Sequence, residues 1–478
     1  MLESAATAFA SILVLGSGFA FGGFVYHKFY KWLVLHKMER AFKPGDPVLE
    51  LAAMRKQMPD SLASDAEGES HWIPRQEQAK IDAIVNGTDR GHYHLLIGEK
   101  GTGKSSMLLD AMQRINGEGV SMFEAHADLE IFRVRLGKAL DFEFHEDYIG
   151  SYFSERGPRD STALLDIERA FNKLEKVALK RRKMVGRPLV LIINSIHLLR
   201  DDEDGRDLLE LLQQRAEQWA ASNLATIVFN SDDYWVYERL KQLATRMEVT
   251  AIEDLPREQA IAALIKYRIK YFKEQPSVEI LSSVYEKVGG RLTFLNRAAK
   301  SRDMLKTCDD LMEVEKRWFL NQCWILGADM DDDVMDQQKY ASAAMVLAQA
   351  LVHAESNQSV YDQDKGHILP EIPLHKAREI MTRADFIRDY DHINLFTITS
   401  RAHVRAHSVP MQRAFRDICA APTFTAHLEA TLQRIADIES LGRTREVVAK
   451  DLVQGNNYRI TRKREGFEVD LKREVGNG

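Results

Sequence analysis

Gly98-Glu99-Lys100-Gly101-Thr102-Gly103-Lys104-Ser105 is the stretch on which the reading of this chain turns. It satisfies GxxxxGK[ST] at each fixed position, follows the apolar run Tyr93 to Ile97 and leads into the helical pattern Ser105 to Ile115. Glycines let successive backbone N–H groups turn inward around phosphates, and a helix start adds its partial positive charge. In this setting Lys104 reaches the β and γ phosphates and the Ser105 hydroxyl ligates Mg²⁺. The expected chemistry is a nucleoside triphosphate site built from Gly98, Glu99, Lys100, Gly101, Thr102, Gly103, Lys104, Ser105 and the adjoining Ser106. No Asn-Lys-x-Asp tetrapeptide for guanine follows a later strand, so ATP with Mg²⁺ is the expected ligand.

Outward from this loop, short β-rich runs alternate with long amphipathic stretches, the pattern of a parallel sheet covered by helices on both faces. The strand candidates are Tyr93 to Ile97, Val120 to Ala125, Leu189 to Ile193, Leu224 to Asn230 and Glu248 to Ile252. The third should end in an Asp that holds Mg²⁺ and a Glu that polarises the attacking water, the Walker B pair. Asn194 and Ser195 stand there instead. Asn194 still accepts a hydrogen bond from a metal-bound water, whereas Ser195 is no carboxylate base, so hydrolysis is expected to be slow or absent. Substitution by the downstream acids Asp201, Asp202, Glu203 and Asp204 is the competing expectation; a solvated loop is the plainer one. His197 either faces the site or is structural. Asn230, at the tip of the fourth strand, fits a residue sensing the γ-phosphate or water, and equally a turn former. Arg239 and Arg246 are candidates for an arginine acting on a neighbouring copy's nucleotide, and equally for surface residues.

The 478 residues are enough for at least two cores, and 65 basic against 71 acidic residues give no overall nucleic-acid footprint. Cys308, Cys323 and Cys419 lack zinc-site spacing and the density of a disulfide scaffold. Ala5 to Tyr26 carries no charge over 22 residues, long enough for one membrane-spanning helix, since about 20 apolar residues cross a bilayer. No Lys or Arg precedes it, unlike a signal peptide. Gly18 and Gly22 form a GxxxG pair suited to close helix approach, a spacing that a Gly-rich segment also yields by accident. Lys28, Lys31, Lys37 and Arg40 among Tyr26, Tyr30 and Trp32 form an interfacial collar, which puts the bulk of the chain on the matrix or cytosolic side. Pro59 to Ser70 reads as a linker.

Beyond Lys300 helical periodicity dominates, interrupted by the acidic turn Asp329 to Asp333. A helix over Lys376 to Tyr390, followed by β-like runs at Leu395 to Thr399 and His403 to Ser408, is the ending of a winged helix. Such a unit reads DNA or docks protein. Lys376, Arg378, Arg383, Arg401 and Arg405 offer phosphate contacts, but Glu379, Asp385, Asp389 and Asp391 repel them, so protein docking is favoured. The run Lys180-Arg181-Arg182-Lys183 is a solvated helix face or a contact for anionic lipid. A helix over Phe424 to Leu441 and a basic tail complete the chain.

The order of these elements resembles the AAA+ superfamily, in particular its initiator-like and STAND-like branch. His71-Trp72-Ile73-Pro74-Arg75-Gln76-Glu77 is similar to the segment that lies on the adenine side, with Arg75 as its binding residue; Leu255-Pro256-Arg257-Glu258-Gln259-Ala260 is similar to the opening of the helical lid. Gly289-Gly290-Arg291-Leu292-Thr293-Phe294-Leu295-Asn296-Arg297 resembles the lid motif whose arginine senses nucleotide, Arg291 first and Arg297 second. With its N-terminal span and winged helix the layout resembles fungal membrane-associated AAA proteins, which implies a mitochondrial location and allows oligomerisation. The implied organisation is an anchor over 1–45, a linker over 46–70, an α/β nucleotide-binding domain over 71–253, a lid over 254–305, a helical region with the winged helix over 306–423, and a C-terminal helix and tail over 424–478. The implied function is a membrane-anchored, ATP-dependent switch or scaffold. A remodelling ATPase and a membrane-tethered DNA binder are the alternatives.

Overall fold

A computed structural model describes residues 2–45, 48–50, 73, 75–144, 162–325, 334–357, 361–362, 366–367, 369–453, 457–463 and 466–472. The Pro59 to Ser70 stretch of the proposed linker and the acidic turn at 329–333 lie outside the described residues. Five parallel strands, β1 (Tyr93–Ile97), β2 (Val120–Glu124), β3 (Leu189–Asn194), β4 (Ala225–Ser231) and β5 (Met247–Ala251), form one sheet in the order β2-β3-β4-β1-β5. Because β4 inserts beside β1, the chain reverses direction across the sheet there, and such a switch point is where ligands meet the carboxyl ends of strands. Parallel strands are buried on both faces, which is why Leu189 to Ile193 is apolar without a break.

Two cores sandwich the sheet. On one face α2 (Gln78–Val85) and α3 (Lys104–Arg114) pack Ile81, Leu108 and Met112 against Leu96, Ile192 and Val228. On the other, α4 (Leu129–Ala139), α5 (Ala163–Val185) and α6 (Glu203–Ser222) bring Phe132, Phe171 and Trp219 onto Leu95, Leu191 and Phe229. α7 (Tyr234–Lys241) leads into β5, after which α8 (Arg257–Phe272), α9 (Val278–Val288) and α10 (Leu292–Lys300) close around Leu264, Val284 and Leu295 as a lid. The Gly289-Gly290 break is demanded by crowding: a Cβ on Gly290 would sit 1.9 Å from the Leu255 carbonyl.

After the long helices α11 (Met304–Cys323) and α12 (Met335–Asn357) comes the winged helix. Its short pieces are β6 (Tyr361–Asp362), β7 (Gly366–His367) and β8 (Ile372–Pro373), then α13 (Leu374–Met381), α14 (Phe386–His392), β9 (Phe396–Ile398), β10 (His403–Ala406) and α15 (Val409–Cys419). Strands pair in the order β8-β10-β9. The helix expected over Lys376 to Tyr390 is two helices, because the chain turns at Thr382 in the left-handed region, φ +58°. α16 (Phe424–Val453) runs past the expected Leu441, and the expected basic tail is a hairpin of β11 (Asn457–Lys463) and β12 (Gly466–Lys472). All three cysteines are free thiols.

At the other end, α1 (Leu2–Arg40) exposes its apolar side chains from Phe9 to Phe29. Phe9–Arg40 is long and apolar enough to cross a membrane. Its last turns do not belong to an independent anchor, however. Met38 and Phe42 are fully buried in the sheet-domain core, the Gly119 N–H donates to the Phe42 carbonyl (2.9 Å), and Lys180 on α5 pairs with Glu39 at 2.7 Å. Phe42→Ala should therefore destabilise the sheet domain, by about 3–5 kcal/mol for a buried phenylalanine. Chemical denaturation of the full-length protein reads it; an unchanged midpoint would mean that this turn is only an appendage.

Candidate functional site

β1 delivers Gly98 at the carboxyl edge of the sheet, and the chain then coils over α3. Gly103 caps that helix at φ +100°, a conformation that disfavours side chains, and no side chain caps its first turn. The first amides of the helix are thus left for an anion, as the phosphate-loop reading requires. Lys104 is 4% exposed and donates to the carbonyls of Gly98 (2.7 Å) and Glu99 (2.9 Å), and pairs with Asp232 at 2.8 Å. The Asp232 backbone N–H donates to His197 Nδ1 (3.0 Å), so His197 steadies the loop that carries the partner of Lys104. Sequence reading missed Asp232, since nothing in Ser231-Asp232-Asp233 distinguishes a lysine partner from a turn.

Strand register assembles the rest. Residues two positions beyond Met122, Ile192 and Val228 face the α3 side, and these are Glu124, Asn194 and Asn230. Glu124 is the register partner of Asn194, and Ile193 pairs with Phe229, so the three strand tips form one row. Ser105 Oγ donates to Asn194 Oδ1 at 2.9 Å, and Asn230 Nδ2 donates to both Ser105 Oγ (3.1 Å) and Asn194 Oδ1. Asn230 is 2% exposed and its Oδ1 is a buried acceptor with no partner. Ser195 sits at φ +54° with its hydroxyl 3.5 Å from Glu124 Oε1. Glu124, a carboxylate on the row where Asn194 and Ser195 supply none, was invisible in sequence because only strand pairing brings it there.

Glu99 is buried within the loop at 3% exposure, and burial alone would raise its pKa. Arg405 from β10 of the winged helix, which donates to Glu99 through Nε (3.1 Å) and Nη2, outweighs that together with Arg291 and holds the carboxyl at about 2. Arg291, 1% exposed, is engaged at every nitrogen: Asp254 accepts at 2.8 and 3.1 Å, the His407 carbonyl at 2.7 Å and the Lys100 carbonyl at 3.4 Å, with His407 Nε2 at 2.9 Å. Burial and then the Arg291 charge push the His407 pKa well below the usual imidazole value, so that ring is neutral. A second bridge flanks the first. Asp391 accepts from the Tyr234 N–H (2.8 Å) and His392 meets Asp233 at 2.7 Å, so the winged helix touches both loops around Lys104.

Other candidates fall elsewhere. Arg75 is buried and donates to the Glu253 carbonyl (3.1 Å), at the seam between sheet domain and lid, while its neighbours His71, Trp72 and Pro74 lie outside the described residues. Asp201 is an ion-pair hub for Arg206, Arg239 and Arg388, and Asp202 caps α6, so neither replaces the missing acids; Arg239 is thereby tied inside the chain. Arg246 and Arg297 are exposed. The basic residues suggested for DNA are paired internally: Lys376 with Glu379, Arg378 with Glu238, Arg383 with Glu439, Arg401 with Glu253 and Arg405 with Glu99.

A phosphate loop on a β2-β3-β4-β1-β5 sheet with a helical lid defines the P-loop nucleotide-binding class. Residues 72–228 match the family described as AAA ATPase domain, and residues 321–439 match the Fungal AAA protein, C-terminal winged helix domain. The chain thus carries an AAA ATPase domain followed by the winged-helix domain of fungal AAA proteins. No curated protein matches it. Similar solved structures include a Walker-type ATPase of Pyrococcus abyssi, 12% identical over 72% of this chain and 96% of that one, with a TM-score of 0.46. Cdc6p from Pyrobaculum aerophilum is 10% identical over 75% and 97%, TM-score 0.34. AMPPCP-bound DnaA from Aquifex aeolicus is 12% identical over 77% and 96%, TM-score 0.33.

The Glu99 carboxylate is ionised in the folded chain far below its ordinary pKa of 4.5, so its stabilising contribution is complete above that value and is lost as pH falls toward about 2. Arg405→Ala leaves a buried charge without its partner, which costs about 3–5 kcal/mol. It should also shrink the stability lost on acidification between those two pH values. Urea titrations of wild type and variant across that window check both; identical pH slopes would rule out the pair as their source.

Proposed function

We propose that this protein is a membrane-anchored, ATP-binding switch in which nucleotide at the phosphate loop sets the position of the lid and winged helix. The single observation that carries the reading is the direct contact of Arg405 and Arg291 with the loop itself, Arg291 being held in turn by His407 of the winged helix. Both cations suited to a triphosphate are held by internal acceptors, Lys104 by Asp232 and Arg291 by Asp254 and His407. Drawing either toward phosphate frees a contact that pins the winged helix or its flanking loop.

The residues fit the expected ligands. The uncapped first turn of α3 and Lys104 suit the phosphates, Asn230 Oδ1 is a spare buried acceptor, and Ser105 with Asn194 offers two oxygens to the water shell of Mg²⁺. Bound Mg²⁺ supplies charge neutralisation between phosphates. With a neutral Asn194 and Ser195 behind it the site favours holding ATP over cleaving it. Phe9–Arg40 supports a single membrane span, and the resemblance to fungal AAA proteins supports a mitochondrial membrane with the bulk of the chain on the matrix or cytosolic side. The winged helix, its cations spent on internal pairs, suits protein docking better than DNA.

Calorimetry of the full-length protein with ATP and Mg²⁺ should give a Kd near the micromolar range, about −8 kcal/mol. Lys104→Ala should weaken it by roughly 10- to 100-fold, the worth of about 1.5–3 kcal/mol for charge-assisted hydrogen bonds. ATP should also raise amide exchange over Phe396–His407. No binding, or binding that leaves those amides unchanged, would end the switch reading.

A second reading, turnover, is favoured by one observation: Glu124 lies one strand from the missing acids, on the same row and face. If Glu124 orients the attacking water, phosphate release should fall about 10²-fold in Glu124→Gln, within the range of general-base contributions, with ATP affinity unchanged. Equal release by wild type and variant would leave the switch without a carboxylate base.

A further inference from the structure

At the other end of β1, away from the phosphate loop, lies a cluster that the nucleotide site does not use. His94 lies on β1 and His92 immediately ahead of that strand, two positions apart. Glu248 on the edge strand β5 is the register partner of His94, and Asp89 lies in the turn between α2 and β1, held there by its N–H donating to the Ala83 carbonyl (3.1 Å). Gly98 is four positions beyond His94, about 13 Å along the strand.

The cluster is poorly satisfied as a set of hydrogen bonds. His94 is 0% exposed, yet neither of its ring nitrogens has a partner, and His92 Nδ1 has none either. Such buried orphans cost about 1–3 kcal/mol each. The carboxylates are near but too far for hydrogen bonding: His92 Nδ1 is 3.7 Å from Asp89 and 3.5 Å from Glu248, and His94 Nε2 is 3.9 Å from Asp89. One ligand atom from each of Asp89, His94 and Glu248 falls within 4.8 Å of the others. Ligands about 2.0–2.2 Å from a tetrahedral ion stand roughly 3.4 Å from one another, close to the separations seen here.

We infer that Asp89, His94 and Glu248, with His92 beside them, form a structural binding site for a divalent transition-metal ion, Zn²⁺ by ligand type. Two carboxylates bring the charge that a divalent ion cancels, and imidazole nitrogen with oxygen ligands suits zinc over calcium or magnesium. Lys80 pairs with Glu248 Oε2 at 3.0 Å, leaving Oε1, the oxygen nearer His92, for the ion. Bound there, the ion ties the α2–β1 turn and the edge strand β5 to the central strand that carries the phosphate loop. The site goes beyond the nucleotide switch and stands or falls independently of it.

The test uses the full-length protein in detergent, loaded with Zn²⁺ or Co²⁺ alone and dialysed. Wild type should retain one zinc per chain, show the visible band of tetrahedral Co²⁺ and melt at higher temperature with Zn²⁺ than after chelation. Asp89→Asn and Glu248→Gln, both at partly exposed positions and both isosteric, should weaken zinc binding at least about tenfold while ATP binding persists. His94→Asn should do the same, and the two carboxylate variants keep the test alive if that buried change prevents folding. Ser105→Ala should retain zinc, which separates this site from the phosphate loop. Absence of the Co²⁺ band, or equal zinc in wild type and the carboxylate variants, would show the cluster to be a bare ion-pair group and overturn the site.

Discussion

A carboxylate buried inside a phosphate-binding loop is the constraint around which this molecule is arranged. Glu99 has no water to solvate it, and an unpaired buried charge is far costlier than any contact it replaces. The loop supplies no cation for it, because Lys104 turns back to the carbonyls of Gly98 and Glu99 and to Asp232. The partner comes from more than three hundred residues downstream, as Arg405 on β10. That pairing acts with the Asp391–Tyr234 and His392–Asp233 contacts to hold the winged helix on the sheet domain, and His407, two residues on from Arg405, reaches the lid through Arg291. Ile97 and Tyr234 accordingly pack into the winged-helix core rather than into the sheet's own cores. Sheet domain, lid and winged helix meet at one loop, so on the proposed reading a ligand there acts on all three.

The same economy of position governs the strand tips. Parallel register sets Glu124, Asn194 and Asn230 side by side, and α3 places Ser105 in front of two of them. Replacing an acid by Asn194 keeps the hydrogen bond to Ser105 but removes a negative charge beside the phosphates. On the proposed reading this shifts the balance from cleaving a nucleotide toward holding it, unless Glu124 supplies the missing carboxylate from the neighbouring strand.

The fold was legible where local pattern and packing agree. An apolar run followed by GxxxxGK[ST] allows few structures, and all five strands lie within a residue or so of where alternation put them. Boundaries failed where the backbone does something no residue type announces. Thr382 enters the left-handed region and splits one expected helix, and a basic segment pairs with itself as a hairpin. The site was legible along the chain and opaque across it. Lys104, Ser105, Asn194 and Asn230 could be named from spacing. Asp232, Glu124 and Arg405 owe their roles to register and docking, and Arg405 in particular reads as a surface cation until Glu99 is seen beside it.

Where α1 ends determines what the proposed switch can move. Met38 and Phe42 sit in the core beneath α5, and Lys180 of that helix pairs with Glu39, so the last turns of the apolar helix are continuous with the sheet domain. If the preceding residues cross a bilayer, the sheet domain is held against the membrane without a free swivel at that joint. Motion driven from the phosphate loop must then be taken up by the lid and winged helix, whose hold on the sheet domain includes a few buried ion pairs and hydrogen bonds at the strand tips. The anchor is built into apolar packing, which deforms little, whereas the winged helix adds to its apolar seam at Ile97 and Tyr234 a set of polar contacts, which exchange partners readily. On the proposed reading, that asymmetry makes the far side of the molecule, not the membrane side, the part that reports the nucleotide.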